Sequence, residues 1–433
     1  MKRTLGWIGM VATLTATSVA AAADWPRFRG PDGRGIGDAP VPLAWAADKN
    51  LRWKAALPGP GSSSPVVHGP DVFLTCYSGY GVPDAAPGDS AKLVRHLLCI
   101  DRATGREKWR LDEPAAQPED AYEGYLTEHG YASSTPVVDA DAVYAFFGKT
   151  GVIACDRAGR ERWRTGVGKE SSDRRWGSAA SLIRHGDLVI VNAAEESQSI
   201  RGLDRRTGRE VWKSEAAALE LAYGTPMVAR LPDGRDELVV AVPEEVWGLD
   251  PATGKLRWHA AHALTGNVSP SVLVDADVAY VFGGFRSAGS FAVRLGGTGD
   301  VTKSHVLWTS KTSSYVATPL FHEGHLYWID DRGQAFCANA RTGAQVYRNR
   351  VAEITSGGRP VYASPVLAGG RIFVATRWNG TLVLPAEPRY EILAHNVFPG
   401  DDSDFSGTPA VADGCLYLRS GRFLYCVGEP EKP

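Results

Sequence analysis

The segment "IDRATGREKW" (100–109) returns as "LDRRTGREVW" (203–212) and "LDPATGKLRW" (249–258), with looser copies "CDRAGRERW" (155–163) and "ANARTGAQVY" (338–347). In each copy an apolar run ends at Asp or Asn, and an aromatic ring stands four residues past a glycine. Asp bonds nearby backbone N–H groups and Gly supplies a positive φ, so the motif reads as a turn between two strands. A second signature, small residues then Pro and an apolar pair, marks the start of each unit. It falls at Pro65, Pro136, Pro226, Pro270, Pro319, Pro365 and Pro409, with Leu182 in the proline slot of an eighth copy. Successive spacings are 71, 46, 44, 44, 49, 46 and 44 residues, close to the length of one propeller blade.

Within a unit the apolar runs are short, rich in Val, Ile, Tyr and Phe, and bounded by Gly or Asp, as strands are. Four fit per unit: A after the Pro, B on the next apolar run, C ending at the Asp, and D carrying the ring. The expected fold is all-β: an eight-bladed β-propeller with four-stranded antiparallel blades. Thirteen Trp against three Met then have a structural role. Trp53, Trp109, Trp163, Trp212, Trp258, Trp308 and Tyr347 are expected to dock blade against blade, where a large flat ring buries the most area. Unit seven lacks such a ring and offers Ile392. The last unit ends after strand C, and a spare D-like segment, "LRWKAAL" (51–57), stands at the front. An N-terminal strand should therefore complete the C-terminal blade and leave few exposed edges.

Lys2 and Arg3, a short apolar stretch and Ala21-Ala22-Ala23 read as a signal peptide over 1–23, so a periplasmic or secreted protein is expected. The remaining divisions are a strap over 24–50, the propeller over 51–428 and a tail over 429–433. Without Lys2 and Arg3 the chain carries 45 basic and 49 acidic residues, which excludes a strongly basic nucleic-acid binder. No later run has membrane-spanning length, and a monomer is expected. Six cysteines in an exported chain invite disulfides. Cys99, Cys337 and Cys426 occupy a slot that holds Ala154, Gly202 and Gly248 elsewhere, which a buried thiol also fills. Cys415 and Cys426 are the best disulfide pair, facing each other if the hairpin turns at Ser420-Gly421.

The repeats, the eight units and the opening "DWPRFRGPDGRG" (24–35) resemble the PQQ-like β-propeller repeat proteins, over 24 to about 428. That superfamily includes quinoprotein alcohol dehydrogenases and the propeller subunit of the outer-membrane barrel-assembly machine. The dehydrogenase branch implies adjacent cysteines, a stacking Trp, and calcium held by Glu and Asn. This sequence has no adjacent cysteines and no C-x-x-C-H haem site. The resemblance is thus to secreted repeat proteins of the wider superfamily, without assigned activity. One fold hosts many functions, so the site must decide.

In this topology the D–A and B–C loops share one face, the default ligand-binding mouth. They bring Tyr131, Arg175, Trp176, Tyr223, Tyr315 and Tyr362 near it, with Lys149, Arg377, Trp378 and Asn379. Glu196, Glu245 and Asp331 sit in equivalent loops and could converge on Ca²⁺. The leading expectation is a non-catalytic scaffold or binding protein using this face for a protein, small-molecule or glycan partner, with no cofactor. A PQQ- and calcium-dependent dehydrogenase and a cell-envelope glycan binder are the alternatives. Blade one also carries insertions at 78–95 and 111–130, the second acidic and aromatic; such loops are often functional.

Overall fold

The computed structural model describes residues 24–37, 39–82 and 87–430. The expected signal peptide over 1–23 and the end of the tail lie outside them. Among the described residues no helix is long and apolar enough to cross a membrane.

Eight antiparallel four-stranded sheets form the ring. Blade one holds Val66–His68, Asp71–Ser78, Val94–Asp101 and Glu107–Pro114 as strands A to D, and blades two to six repeat that order. The A strands of neighbouring blades meet around the axis. Leu51–Ala56 pairs antiparallel with Phe423–Val427, so blade eight takes its outer strand from the front of the chain. Two blades gain a parallel fifth strand: Ile36–Gly37 on blade seven and Gly299–Asp300 on blade four.

The repeat motif proves to be a docking joint. The indole N–H of Trp53, Trp109, Trp163 and Trp308 donates to a backbone carbonyl in the C–D turn of the next blade, at Arg102, Arg157, Arg205 and Ala340. Trp212 does the same to Pro251. The turn glycine lies flat against the ring: a Cβ on Gly208 would stand 2.5 Å from Trp163, and one on Gly254 2.4 Å from Trp212. Both glycines also hold positive φ. The small slot has the same cause. Cys99, Ala154, Gly202, Gly248, Cys337 and Cys426 each sit directly across the ladder from the docking ring of their own blade. Blade five has no such turn motif, and its place is taken by the Gly-rich segment after Leu295. There Trp258 donates instead to Oε2 of the fully buried Glu237, at 3.0 Å, and the N–H of Gly296 donates to the same oxygen.

Two sequence expectations are corrected. Ser420 pairs its N–H with the carbonyl of Phe423, so the blade-eight hairpin turns at Gly421-Arg422, one residue later than expected. That shift places Cys426 opposite Tyr417, two positions from Cys415, and all six cysteines are buried free thiols. In blade five Ser271, not Ser269, occupies the position that precedes Pro in the other units. Val272 therefore fills the proline slot, and Pro270 lies two residues before it.

Candidate functional site

Just before each A strand stands a Ser or Thr, and in every unit but the first its oxygen accepts the N–H of its counterpart one blade back. The links run Ser64 to Thr135, Thr135 to Ser181, Ser181 to Thr225, and Thr225 to Ser271. They continue Ser271 to Thr318, Thr318 to Ser364, and Ser364 to Thr408, all at 2.9–3.1 Å. This belt ties blade to blade at the axis, each link contributing about 1 kcal/mol net. Its hydroxyls have a second consequence. All eight line the axial cavity, and among the described residues none donates its O–H to a protein acceptor. A circle of unspent donors therefore faces one space.

The strap closes that space from the far side. Trp25 exchanges both backbone bonds with Val67 of blade one, and Arg29, itself buried, donates to the carbonyls of Thr318 and Pro319 in blade six. Phe28, between these two anchors, forms the floor. The near side is covered by the 111–130 insertion. Its helical turn Leu126–His129 and Tyr125 lie over the axis. Tyr125 meets Trp176 edge-on at 4.4 Å, and the guanidinium of Arg359 stacks over Tyr125 at 4.5 Å and Tyr315 at 5.1 Å. Between floor and ceiling is a cavity of about 160 Å³ that opens partly to solvent. Its upper wall is aromatic: Tyr125, Trp176, Tyr223, Tyr315 and Tyr362.

The insertion is latched. Arg377 pairs with Glu128 of the insertion at 2.5 Å and with Asp404 at 2.5 Å, while stacking over Tyr362 and Trp378. On the inner side His129 Nε2 lies 2.8 Å from the carbonyl of Trp176, and Nδ1 lies 2.5 Å from Ser133 Oγ. Burial pushes the His129 imidazole below its ordinary range.

The single mouth expected from sequence is thus three spaces. Trp176, Tyr223, Tyr315 and Tyr362 do meet at the axis. Tyr131 turns away, donates to the carbonyl of Asp120 at 2.8 Å and packs with Tyr77, Tyr80 and Tyr122. It borders a smaller polar pocket with Lys149 and Glu196. Arg377 and Trp378 border a third space with Asp402 and Asp404. Arg175 is exposed at positive φ. Asn379 is buried and caps the backbone of Thr355 and Ser356.

Nor do the three acidic residues converge. Glu196 is buried and takes the Ser178 hydroxyl, Glu245 accepts from Trp247 at 2.6 Å, and Asp331 lies by a separate outer pocket. Among the described residues no three His, Cys, Asp or Glu side chains gather as a metal-binding group. Burial raises the Glu196 carboxyl to about 7. Burial also raises Glu195, which accepts from Tyr223 at 2.6 Å.

Sequence reasoning missed the hydroxyl belt, although Ser or Thr stands directly before Pro in seven units, six of them belt residues. It left Tyr125 unplaced, took Phe28 as strap packing only, and gave no role to Glu128, His129 and Ser133, although their loop (128–134) is one of the D–A loops at the expected mouth. Only the fold brings the strap and the insertion to one axis.

A family model described as "Outer membrane protein assembly factor BamB" matches residues 38–178, 95–349 and 300–389. BamB from Moraxella catarrhalis superposes with a TM-score of 0.62 at 16% identity, covering 88% of this chain and 98% of that one. Quinohemoprotein alcohol dehydrogenase from Comamonas testosteroni gives a TM-score of 0.50 at 13% identity, over 95% of this chain and 81% of that one. Tetrathionate hydrolase of Acidithiobacillus ferrooxidans is 28% identical over 218 residues, 45% of this chain. The match spans 42% of that curated relative, less than half its length. PQQ, which the dehydrogenases imply, does not fit the chamber. Its three carboxylates need cations, whereas the lining has no Lys or Arg, and its one carboxylate, Glu128, already holds Arg377.

Proposed function

This chain belongs to the PQQ-repeat propeller family described as outer membrane protein assembly factor BamB, and on that footing we propose that it is an envelope binding protein with an axial chamber. The ligand is a small neutral molecule with many acceptor oxygens and a flat apolar face, of which a mono- or disaccharide is the fitting class. The observation that carries this reading is the belt of eight unspent hydroxyls beneath an aromatic ceiling. Donors in a ring want acceptors, and sugar C–H faces stack on Tyr and Trp. The Glu128–Arg377 latch gives the insertion the role of a gate. A thermal-shift screen of neutral sugars on wild type and Trp176→Ala tests it. Stabilisation of wild type that the variant loses is expected; no sugar shifting wild type would refute it.

A second reading, a protein partner on the outer rim, rests on a separate observation. Phe285 (53% exposed), Val397 (48%) and Trp378 (40%) stand uncovered on loops of the same face. Large exposed apolar side chains on one rim fit an assembly partner, as the family description suggests. Crosslinking from Phe285 replaced by a photoreactive residue in envelope extracts would yield a discrete adduct, and an adduct-free result would dismiss the rim.

A further inference from the structure

Ser133 and His129 share the chamber wall, and their bonding order follows from their partners. The Trp176 carbonyl can only accept, so His129 Nε2 carries the proton that meets it at 2.8 Å. Nδ1 is then the free lone pair, and the Ser133 hydroxyl donates to it at 2.5 Å, the shorter of its two acceptor contacts, the other being the His129 carbonyl at 3.3 Å. A neutral imidazole thus holds the serine proton while a second bond holds the imidazole. That arrangement is the requirement for an activated nucleophile, and its third member is here a main-chain carbonyl. The hydroxyls of Ser64 and Thr135 line the same chamber, Thr135 two residues along the chain from Ser133. Their O–H groups, unspent on protein, are donors available to an oxyanion. The purely structural alternative, a clamp on the insertion, is already provided by Arg377 with Glu128 and by the His129 contact to Trp176.

We propose that Ser133 is a nucleophile, activated by His129, that transfers the acyl group of a small carboxylic ester to water inside the chamber. This rests on the ligand reading above for the nature of the alcohol part. Ser133 Oγ bonds to the carbonyl carbon as its proton passes to Nδ1. The ester C–O bond breaks, and the leaving alkoxide takes that proton. Water then attacks the acyl-serine, gives its proton to Nδ1, and the Ser133 oxygen leaves with it. The products are one acid and one alcohol, and water is the only co-reactant.

The test is covalent labelling with phenylmethylsulfonyl fluoride, whose fluoride leaves as the Ser133 oxygen bonds to sulfur. Wild type and Glu128→Gln, in which the gate is unlatched, are both treated and mapped by peptide mass. One adduct on Ser133 is expected, absent from Ser133→Ala and slowed roughly 10²-fold in His129→Gln. A Ser133→Cys variant should be alkylated by iodoacetamide faster than the Ser133→Cys, His129→Gln double variant, an acceleration that a clamp would not confer; the six native cysteines are buried and slow. No Ser133 adduct in either Glu128 form, or equal labelling in His129→Gln, overturns the proposal. The chamber reading fails separately: sugars that bind without Ser133 labelling leave it standing, and Ser133 labelling without any sugar binding removes it alone.

Discussion

The guanidinium of Arg377 meets the carboxylate of Glu128 at 2.5 Å across 249 positions of sequence. Arg377 belongs to blade seven and Glu128 to the insertion of blade one, so this contact reaches past blade eight and latches the insertion over the chamber. Asp404 holds the other side of the same guanidinium, and its burial keeps its carboxyl above the ordinary range. Removing the cation strands two acids. Arg377→Leu should lower stability by about 3 kcal/mol. It should also raise amide exchange in 119–130 before the blades open. Denaturant melts and exchange mass spectrometry read both. Unchanged exchange in the insertion would show that the latch holds nothing.

The docking joints make a stricter demand. Gly208 has φ +72 and no room for a Cβ beside Trp163. Gly208→Ala must strain the turn and push the ring out of its wedge. A loss of about 2 kcal/mol or more is expected in urea. The control is Gly186→Ala, where φ is also positive (+55) but no atom lies within 4 Å. That variant pays the backbone strain alone.

Glu196 should make stability fall with rising pH. Its carboxyl is raised to about 7 by burial, from an ordinary 4.5, so the folded chain holds a proton that the unfolded chain has released. Its contribution is complete below about 4.5 and is lost as pH rises through 7. Glu196→Gln keeps the shape and cannot ionise. Its melting temperature should match wild type near pH 4.5 and exceed it at pH 8. Parallel curves across that range would contradict the assignment.

The cysteines should stay reduced. With the hairpin turning at Gly421-Arg422, Cys415 and Cys426 are offset along the ladder, and their side chains meet as a hydrogen-bonded thiol pair rather than a disulfide. Thiol titration of unfolded protein, purified without reductant, should count six. A count of four, mapped to Cys415–Cys426, would mean that the offset pair oxidises nonetheless.

The ring was legible because its repeat encodes contacts between neighbours. Asp101, Gly105 and Trp109 serve local turns and adjacent joints, so spacing alone predicts blade number and the closing strand Leu51–Ala56. Blade five slipped by two residues because "SPS" carries two serines at one strand start, and only the bond from Thr225 selects Ser271. The site was half legible. Loop topology delivered Trp176 and Tyr223, which repeat geometry governs. The strap and the insertion lie outside the repeat, and no period says where they fold. Hence Tyr125 was unplaced and Phe28 was taken as packing only, and Tyr131, Lys149 and Arg377 were assigned to one mouth rather than three.

The belt hydroxyls carry the central claim, and one titration reaches it directly. Thr225→Val keeps the shape of the wall but removes one inward donor and the acceptor for the Ser181 N–H. Tryptophan fluorescence, reporting from Trp176 in the ceiling, follows the best-stabilising neutral sugar into wild type and variant. The expected result is saturable quenching in wild type and at least about tenfold weaker affinity in Thr225→Val, with the blades still folded. Equal affinity in both proteins would place the ligand elsewhere and end the case for the chamber.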